Sequence, residues 1–181
     1  MRLWRRLLHA INRRFAREAG SSTIELAIVL PVLVLLFVGA TELGRLFYTY
    51  TTMAKATKVG ARYLSTSFDA TSSDATKVAA AKLAAQSLVV CGYTSCTGTQ
   101  PDGTAKVPVI NGLSMSNPAN NVAVTIFTQT EGSVQVTYVT VKIQNYAYQP
   151  GPFNLAAWTG NANSKFYFGL TPATTMRYML G

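Results

Sequence analysis

Residues 20–65 of the chain read GSSTIELAIVLPVLVLLFVGATELGRLFYTYTTMAKATKVGARYLS and decide its fold. Every side chain from residue 24 to residue 40 is apolar or small, except that of Glu25. An α-helix over residues 24–40 is about 26 Å long, slightly short of a hydrocarbon core of about 30 Å. Since Thr23 and Thr41 can lie at the two interfaces, we predict that this helix spans a membrane.

A helical stripe of apolar side chains continues beyond this segment, in steps of three and four residues. Its members are Leu43, Leu46, Phe47, Tyr50, Met53, Ala54, Thr57, Ala61 and Leu64. The polar positions between them are Glu42, Arg45, Lys55, Lys58 and Arg62. The spacing is helical, not strand-like, so we expect the helix to leave the bilayer and to continue as an amphipathic stem to about Leu64. The upper half of the stem should pack on its own domain.

Glu25 and Pro31 are the two unusual residues of the apolar segment. A carboxylate at the mouth of a membrane helix is costly unless it has a partner, which makes Glu25 a functional candidate. The alternative is that the Glu25 side chain only reaches back to the interface. Pro31 removes one backbone hydrogen bond and should kink the helix, a change that membrane helices tolerate.

Residues 1–20 form a basic leader that ends in a small residue. They contain six arginines and a single acid, Glu18, and they end at Gly20. Arginines before an apolar span stay in the cytoplasm, so the C-terminal bulk should lie outside the inner membrane. A secretory signal carries its small residues after the apolar core, whereas here Gly20 precedes it. Cleavage between Gly20 and Ser21 would leave the helix on the mature protein, with Glu25 as its fifth residue.

Residues 20–65 resemble the N-terminal region of TadE-like proteins, the minor pseudopilins of the Tad (Flp) pilus system. The pattern is Gly, a short polar stretch, Glu with an apolar residue, Pro, then Glu-hydrophobic-Gly-Arg and finally Gly-Ala-Arg-Tyr. The matching residues are Gly20, Glu25, Leu26, Pro31, Glu42, Leu43, Gly44, Arg45, Gly60, Ala61, Arg62 and Tyr63. Leu26 replaces the commoner Phe with a side chain of similar volume. A second, shorter match is LTPATTMRYML at residues 170–180.

The resemblance implies a structural component of pilus assembly. A prepilin peptidase would cut between Gly20 and Ser21, and a single pass would hold the chain in the bacterial inner membrane. The N-terminus would be cytoplasmic and the C-terminal domain periplasmic. Partners would be TadF-like or other pilin-type subunits and the inner-membrane assembly platform. In pilins generally the carboxylate at Glu25 is thought to pair with a neighbour's new N-terminus, and we assign Glu25 and Pro31 to helix pairing.

The alternative function is that of an uncleaved, signal-anchored extracytoplasmic domain with a binding role and no tie to a pilus. In either case the chain divides into the leader at 1–20, the membrane helix and stem at 21–64, and one domain at 65–181. The net charge of +9 comes largely from the leader, so it reflects a signal for membrane topology more than a basic binding surface. The later basic residues are scattered, which argues against a nucleic-acid partner.

Cys91 and Cys96 lie in the short segment CGYTSC, and the sole histidine, His9, is in the leader. Zinc needs about four ligands, so we predict a Cys91–Cys96 disulfide formed in an oxidising compartment. Two free thiols in a loop are the alternative. We predict neither a metal nor a cofactor.

The acidic residues outside the helix give no sign of an active site. They are Asp69, Asp74, Asp102 and Glu131. Because they form no recognisable catalytic or metal-binding spacing, we predict that the protein is not an enzyme.

The rest of the chain predicts a small α+β domain of helix and antiparallel sheet. Asp74 is a candidate N-cap for a helix over residues 75–90. Residues 98–121 contain turn signals, with at most one short strand at residues 106–110. Alternating apolar residues then predict a hairpin whose turn lies at residues 129–132.

Two assignments near the C-terminus complete the prediction. Residues 166–170 are a candidate final strand, and residues 144–163 read as one long loop. The loop contains Tyr146, Tyr148, Phe153 and Trp158. These aromatics could form a sugar-stacking surface, but large aromatics in so small a domain more often belong to a core or a protein interface.

Overall fold

The fold was derived from a computed structural model that describes residues 2–115, 121–148, 151 and 168–179, with side chains from residue 22 onward. The helices are α1 (Arg2–Ser65), a short 3₁₀ helix (Phe68–Thr71) and α2 (Ala75–Cys91). The strands are β1 (Val122–Glu131), β2 (Val134–Ile143), β3 (Tyr146–Tyr148), β4 (Phe168–Leu170) and β5 (Ala173–Arg177). This composition confirms the predicted α+β class. The chain forms two compact units, Met1–Gly44 and Arg45–Gly181.

Helix α1 is continuous, and it ends at Ser65, which confirms the helical stem predicted to reach about Leu64. The helix passes through Pro31 without ending there. It also runs back to Arg2, so the backbone of the leader is helical as well. At the other end the Ser65 hydroxyl donates to the Arg62 carbonyl at 2.9 Å, a local bond of the kind that competes with continued helix.

The stem forms the centre of the core of the second unit. Met53, Thr57, Ala61 and Leu64 are fully buried, and their spacing places them on one helical face. This part of the predicted stripe is therefore confirmed. Phe47 and Tyr50, in the lower half of the stem, are 62% and 44% exposed. Tyr50 shares the helical face of Met53, Thr57 and Ala61, so its exposure reflects its position one turn earlier along the stem.

Helix α2 begins where its sequence predicted. The Asp74 carboxylate accepts hydrogen bonds from the Thr76 amide at 2.9 Å and from the Thr76 hydroxyl at 2.6 Å. These bonds hold the pKa of Asp74 below its ordinary value, because they favour the charged carboxylate. Gly92 caps the other end in the left-handed region, at φ 78°, and its amide donates to the Leu88 carbonyl at 3.0 Å.

Helix α2 lies close to the stem at Gly60. A methyl group added to Gly60 would lie 2.7 Å from Val89 Cγ2 and 3.3 Å from the Ala85 carbonyl oxygen. Both distances are shorter than ordinary van der Waals contact. The absence of a side chain at Gly60 therefore sets how near the two helices can pack.

The predicted hairpin is confirmed as β1 and β2, which pair antiparallel from Val122 opposite Ile143 to Glu131 opposite Val134. Its turn lies at Gly132 and Ser133 rather than at residues 129–132. Gly132 has φ 64°, which a glycine adopts without strain, so Gln129 remains in the strand.

Two strand assignments differ from the sequence prediction, whereas residues 106–110, where at most one short strand was predicted, contain none. Residues 146–148 form β3 within the stretch predicted as a loop, and β3 pairs with β4. Strand β5 was not predicted, yet it pairs with β2 and completes the sheet order β1-β2-β5. Residues 106–110 form no strand; instead the Val109 amide donates to the Val90 carbonyl at 2.7 Å. These short segments obtain their partners from distant parts of the chain, which local periodicity does not report.

Candidate functional site

The apolar part of α1 is exposed along its length in the first unit. Ile24, Leu30 and Phe37 are 65%, 49% and 71% exposed, respectively. Within the described residues one helical segment, Ser22–Ser65, is long and apolar enough to cross a membrane, with a best-window mean hydropathy of 2.5 and none of that window buried by the protein. A continuous apolar surface of this size is unfavourable in water. It is typical of a helix that anchors a protein in a membrane by a single pass.

The proposed cleavage site lies in a part of α1 with low helix propensity. The backbone of Gly20 and Ser21 is helical, and Ser22 and Thr23 follow. Glycine has a low helix propensity, and serine and threonine compete for backbone hydrogen bonds. A peptidase that needs an extended segment would therefore open the helix here at lower cost than in the leucine-rich turns that follow.

Glu25 and Pro31 lie on different faces of α1. With about 100° between successive residues, Glu25 shares its face with Ile28, Val29 and Val32. All of these side chains are exposed, and Glu25 is exposed with them. Pro31 is displaced by about 120° from Glu25 around the helix, and it cannot donate to the Ala27 carbonyl. The structure thus places Glu25 on an exposed face of α1 and Pro31 on a different one.

Cys91 and Cys96 are joined by a disulfide at the end of α2, with their Cα atoms 5.7 Å apart. The loop that they close is held from outside by Lys106. Its ammonium group donates to the carbonyls of Ser95 and Thr97 at 3.2 and 3.3 Å, and it lies 5.0 Å from the centre of the Tyr93 ring. The disulfide and Lys106 together brace this corner of the domain and leave no thiol available for chemistry.

We expect Cys91 and Cys96 to be oxidised to each other in the native protein. Thiol labelling of the denatured chain should fail without prior reduction and should modify both residues after it. In the chain-entropy view, closing so short a loop stabilises the fold by roughly 2 kcal/mol. A Cys91→Ser/Cys96→Ser variant is the control for background labelling. Labelling of both cysteines without reductant would contradict the bond and would also weaken the proposed extracytoplasmic location.

A cavity of about 800 Å³ lies in the second unit, lined by residues that include Arg45, Tyr48, Asn121 and Tyr146. In this cavity the side-chain amide of Asn121 makes its hydrogen bonds to other groups of the protein. Asn121 Oδ1 accepts from the Ser114 amide at 2.9 Å, and Asn121 Nδ2 donates to the carbonyls of Gln144 and Asn145. No sequence pattern indicated this cavity, because its walls come from four separated segments.

The aromatic residues of the predicted loop divide into two groups. Tyr146 and Tyr148 are buried in the core, as predicted, and the Tyr146 hydroxyl donates to the Asn111 carbonyl at 3.1 Å. Burial raises the pKa of Tyr146. Phe153 and Trp158 lie outside the described residues. Tyr146 and Tyr148 are thus used mainly for packing in the core.

The acidic residues outside α1 are dispersed over the surface. Asp69, Asp74, Asp102 and Glu131 are all exposed. Among the residues with a described position, no three His, Cys, Asp or Glu side chains come together in a way that could hold a metal ion. Asp102 accepts from Thr104, which lowers the pKa of its carboxyl group and identifies it as part of a turn.

Comparison with known proteins supports the N-terminal part of the sequence analysis. The family described as TadE-like protein has a sequence model that matches residues 20–62. The match begins at Gly20 and includes Glu25, Pro31 and Gly60, which confirms the resemblance inferred from the motif order. No curated protein and no solved structure matches the chain.

Proposed function

We propose that the chain is a minor pseudopilin-like structural component of a Tad (Flp) pilus, anchored in the bacterial inner membrane by residues 24–40. The observation that carries the proposal is the family match over residues 20–62, which begins at the proposed cleavage residue and covers Glu25. The exposed apolar surface of α1 supports membrane anchoring. The proposed role is structural rather than enzymatic, since the residues of the match lie along one helix.

The proposed topology has the leader in the cytoplasm and the second unit in the periplasm. The arginines of residues 1–20 support this orientation, because basic residues flanking a span are retained on the cytoplasmic side. The Cys91–Cys96 bond is consistent with it, since disulfides persist in the periplasm and are rare in the cytosol.

Cleavage of the leader would allow the membrane helix to take part in subunit assembly. Cutting between Gly20 and Ser21 by a prepilin peptidase removes the basic leader and creates a new α-amino group on Ser21. That group is positively charged at neutral pH, with an ordinary pKa of about 7.7–8.0. The mature helix would then begin with a cation four residues before the Glu25 carboxylate.

The carboxylate and the new amino group would recognise each other between subunits. Their attraction strengthens in a poorly solvated setting, where an unpaired carboxylate is costly. Pairing Glu25 with the Ser21 amino group of a neighbour, such as a TadF-like subunit on the assembly platform, would fix the register of two packed helices. Pro31, which weakens the helix about 1.7 turns after Glu25, would allow the paired helices to adjust.

The mature N-terminus tests the proposal directly. N-terminal sequencing or intact-mass measurement of membrane-extracted protein should show a chain that begins at Ser21. A chain that begins at Met1, or one cut after the apolar segment, would favour the uncleaved anchor and would contradict the pseudopilin role.

Glu25→Gln tests the pairing step. The variant should insert and be cut between Gly20 and Ser21, yet lose association with the other pilus components, because the partner's amino group is left without its counter-charge. Co-purification and a surface-piliation assay measure the loss. Glu25→Asp, which keeps the charge, is the matched control and should retain most of the association. Normal association by processed Glu25→Gln would contradict the ion pair.

A further inference from the structure

Strand β1 is an exposed sheet edge with unusual composition. In the order β1-β2-β5 it is paired on one side only, and no other described strand lies along its outer side. The strand reads VAVTIFTQTE, with no proline, no lysine and no break in its register with β2. Proteins that keep a sheet edge unpaired usually protect it with a proline, a lysine or a bulge that breaks the register. The edge therefore has the properties of a strand that pairs with another chain.

The hydrogen-bonding groups on this edge can be assigned. In a hairpin closed by two residues, Glu131 and Val134 form a hydrogen-bonded pair, so the even-numbered residues of β1 direct their backbone groups outward. The bond from Gln86 Nε2 of α2 to the Val122 carbonyl, at 2.8 Å, agrees with this assignment. After Val122, the residues of β1 whose backbone N–H and C=O groups point outward are Val124, Ile126, Thr128 and Thr130.

We propose that the occupant of this edge is a second copy of the chain, paired antiparallel through β1 with the two-fold axis at Phe127. Phe127 then lies opposite Phe127 of the second copy, and Ala123 lies opposite its Glu131. This register matches the outward-facing backbone groups of both strands and keeps the core-facing side chains on one side. A slip of one residue would place them on opposite faces. The result is a continuous six-stranded sheet.

The aromatic residues favour this register. Phe127 is 41% exposed, and its ring stacks on Tyr138 with centroids 5.7 Å apart and planes at 24°. At the two-fold axis the Phe127 residues form a non-hydrogen-bonded pair, with Cβ atoms about 4.5–5.5 Å apart. Four rings, one Phe127 and one Tyr138 from each copy, would then form a row across the interface.

The charges select the same register and a second copy as the partner. Glu131 is the only charged residue of β1, and in this pairing it lies opposite the small Ala123, whose neighbour on β2 is Lys142. Two strand spacings, about 9.6 Å in all, separate Lys142 from Glu131 of the second copy. Both side chains are long enough to meet above Ala123, where Glu131 would exchange the hydrogen bond that it accepts from the Tyr138 hydroxyl for the ammonium group of Lys142. Because of the two-fold symmetry, the pair forms twice.

Cysteine crosslinking of the full-length chain in detergent tests the register. Phe127→Cys should form a disulfide-linked dimer on mild oxidation, because the paired Cα atoms fall within the usual range of about 4.4–6.8 Å. Ile126→Cys and Thr128→Cys are matched controls that should not crosslink to themselves. Mixed Thr125→Cys and Gln129→Cys chains should crosslink to each other. Absence of the Phe127→Cys dimer, or equal crosslinking by the controls, would overturn the proposal.

A charge swap tests the choice of partner. Lys142→Glu should weaken self-association by about tenfold, as expected for the loss of two cross-strand charge pairs. Lys142→Glu/Glu131→Lys should restore it, which a purely structural effect would not. Sedimentation of the detergent-solubilised chain over a dilution series measures both. Unaltered association in the single variant, no rescue in the double variant, or a monomeric wild type would overturn the proposal. These outcomes do not depend on processing at Gly20, so they are separate from the test of the pilus role.

Discussion

A Gly20→Leu variant should reach the membrane with its leader intact, and no mature chain beginning at Ser21 should be detected. The reason is twofold. The resemblance implies a peptidase that accepts only a small residue before the cut. Leucine also favours the helix by about 0.8–1 kcal/mol relative to glycine, which opposes local opening of α1 at the scissile bond.

Intact-mass measurement after expression with a prepilin peptidase decides this prediction. Ala19→Leu is the matched control, since it adds the same side chain one residue earlier and keeps Gly20. It should still be cut, and Gly20→Ala should be cut slowly. Cleavage of Gly20→Leu at the wild-type rate would show that the small residue is not required, and it would remove one support of the pseudopilin proposal.

Gly60→Leu should destabilise the second unit by about 3 kcal/mol, the upper part of the range for overpacking a core. Even a methyl group at Gly60 would lie 2.7 Å from Val89 Cγ2 and 3.3 Å from the Ala85 carbonyl oxygen. The Val89 side chain can shift, but the Ala85 carbonyl belongs to the α2 backbone. Leucine would therefore force α2 away from the stem, despite its better helix propensity.

Thermal or denaturant unfolding in detergent, followed by circular dichroism, measures the loss. Gly44→Leu is the matched control on the same helix, because nothing lies within 4 Å of an added methyl group at Gly44. It should unfold like the wild type or slightly later. Equal stability of Gly60→Leu and Gly44→Leu would show that the close approach of α2 does not set the stability of the domain.

The local sequence was sufficient for the elements whose signals are continuous. The apolar segment, the stem that ends near Leu64 and the Asp74 N-cap were all predicted, because each depends on residues within a few turns of one another. The hairpin was predicted for the same reason, although its turn lies two residues later, at Gly132. The motif residues of the proposed site, Gly20 and Glu25, were also visible in the sequence, since their meaning depends on spacing along one helix.

Tertiary structure alone decided which surfaces meet. The pairing of β5 with β2, the strand formed by Tyr146 and its neighbours, and the cavity beside Arg45 join segments far apart in the chain. The exposure of Phe47 shows the same limit, since periodicity predicts an apolar stripe but not how wide a face the partner elements cover. The sequence by itself determined the membrane helix and the order of its motif residues. The packing of α2 on Gly60 and the position of β1 at the edge of the described sheet were settled only by folding, because both depend on contacts that no local pattern encodes.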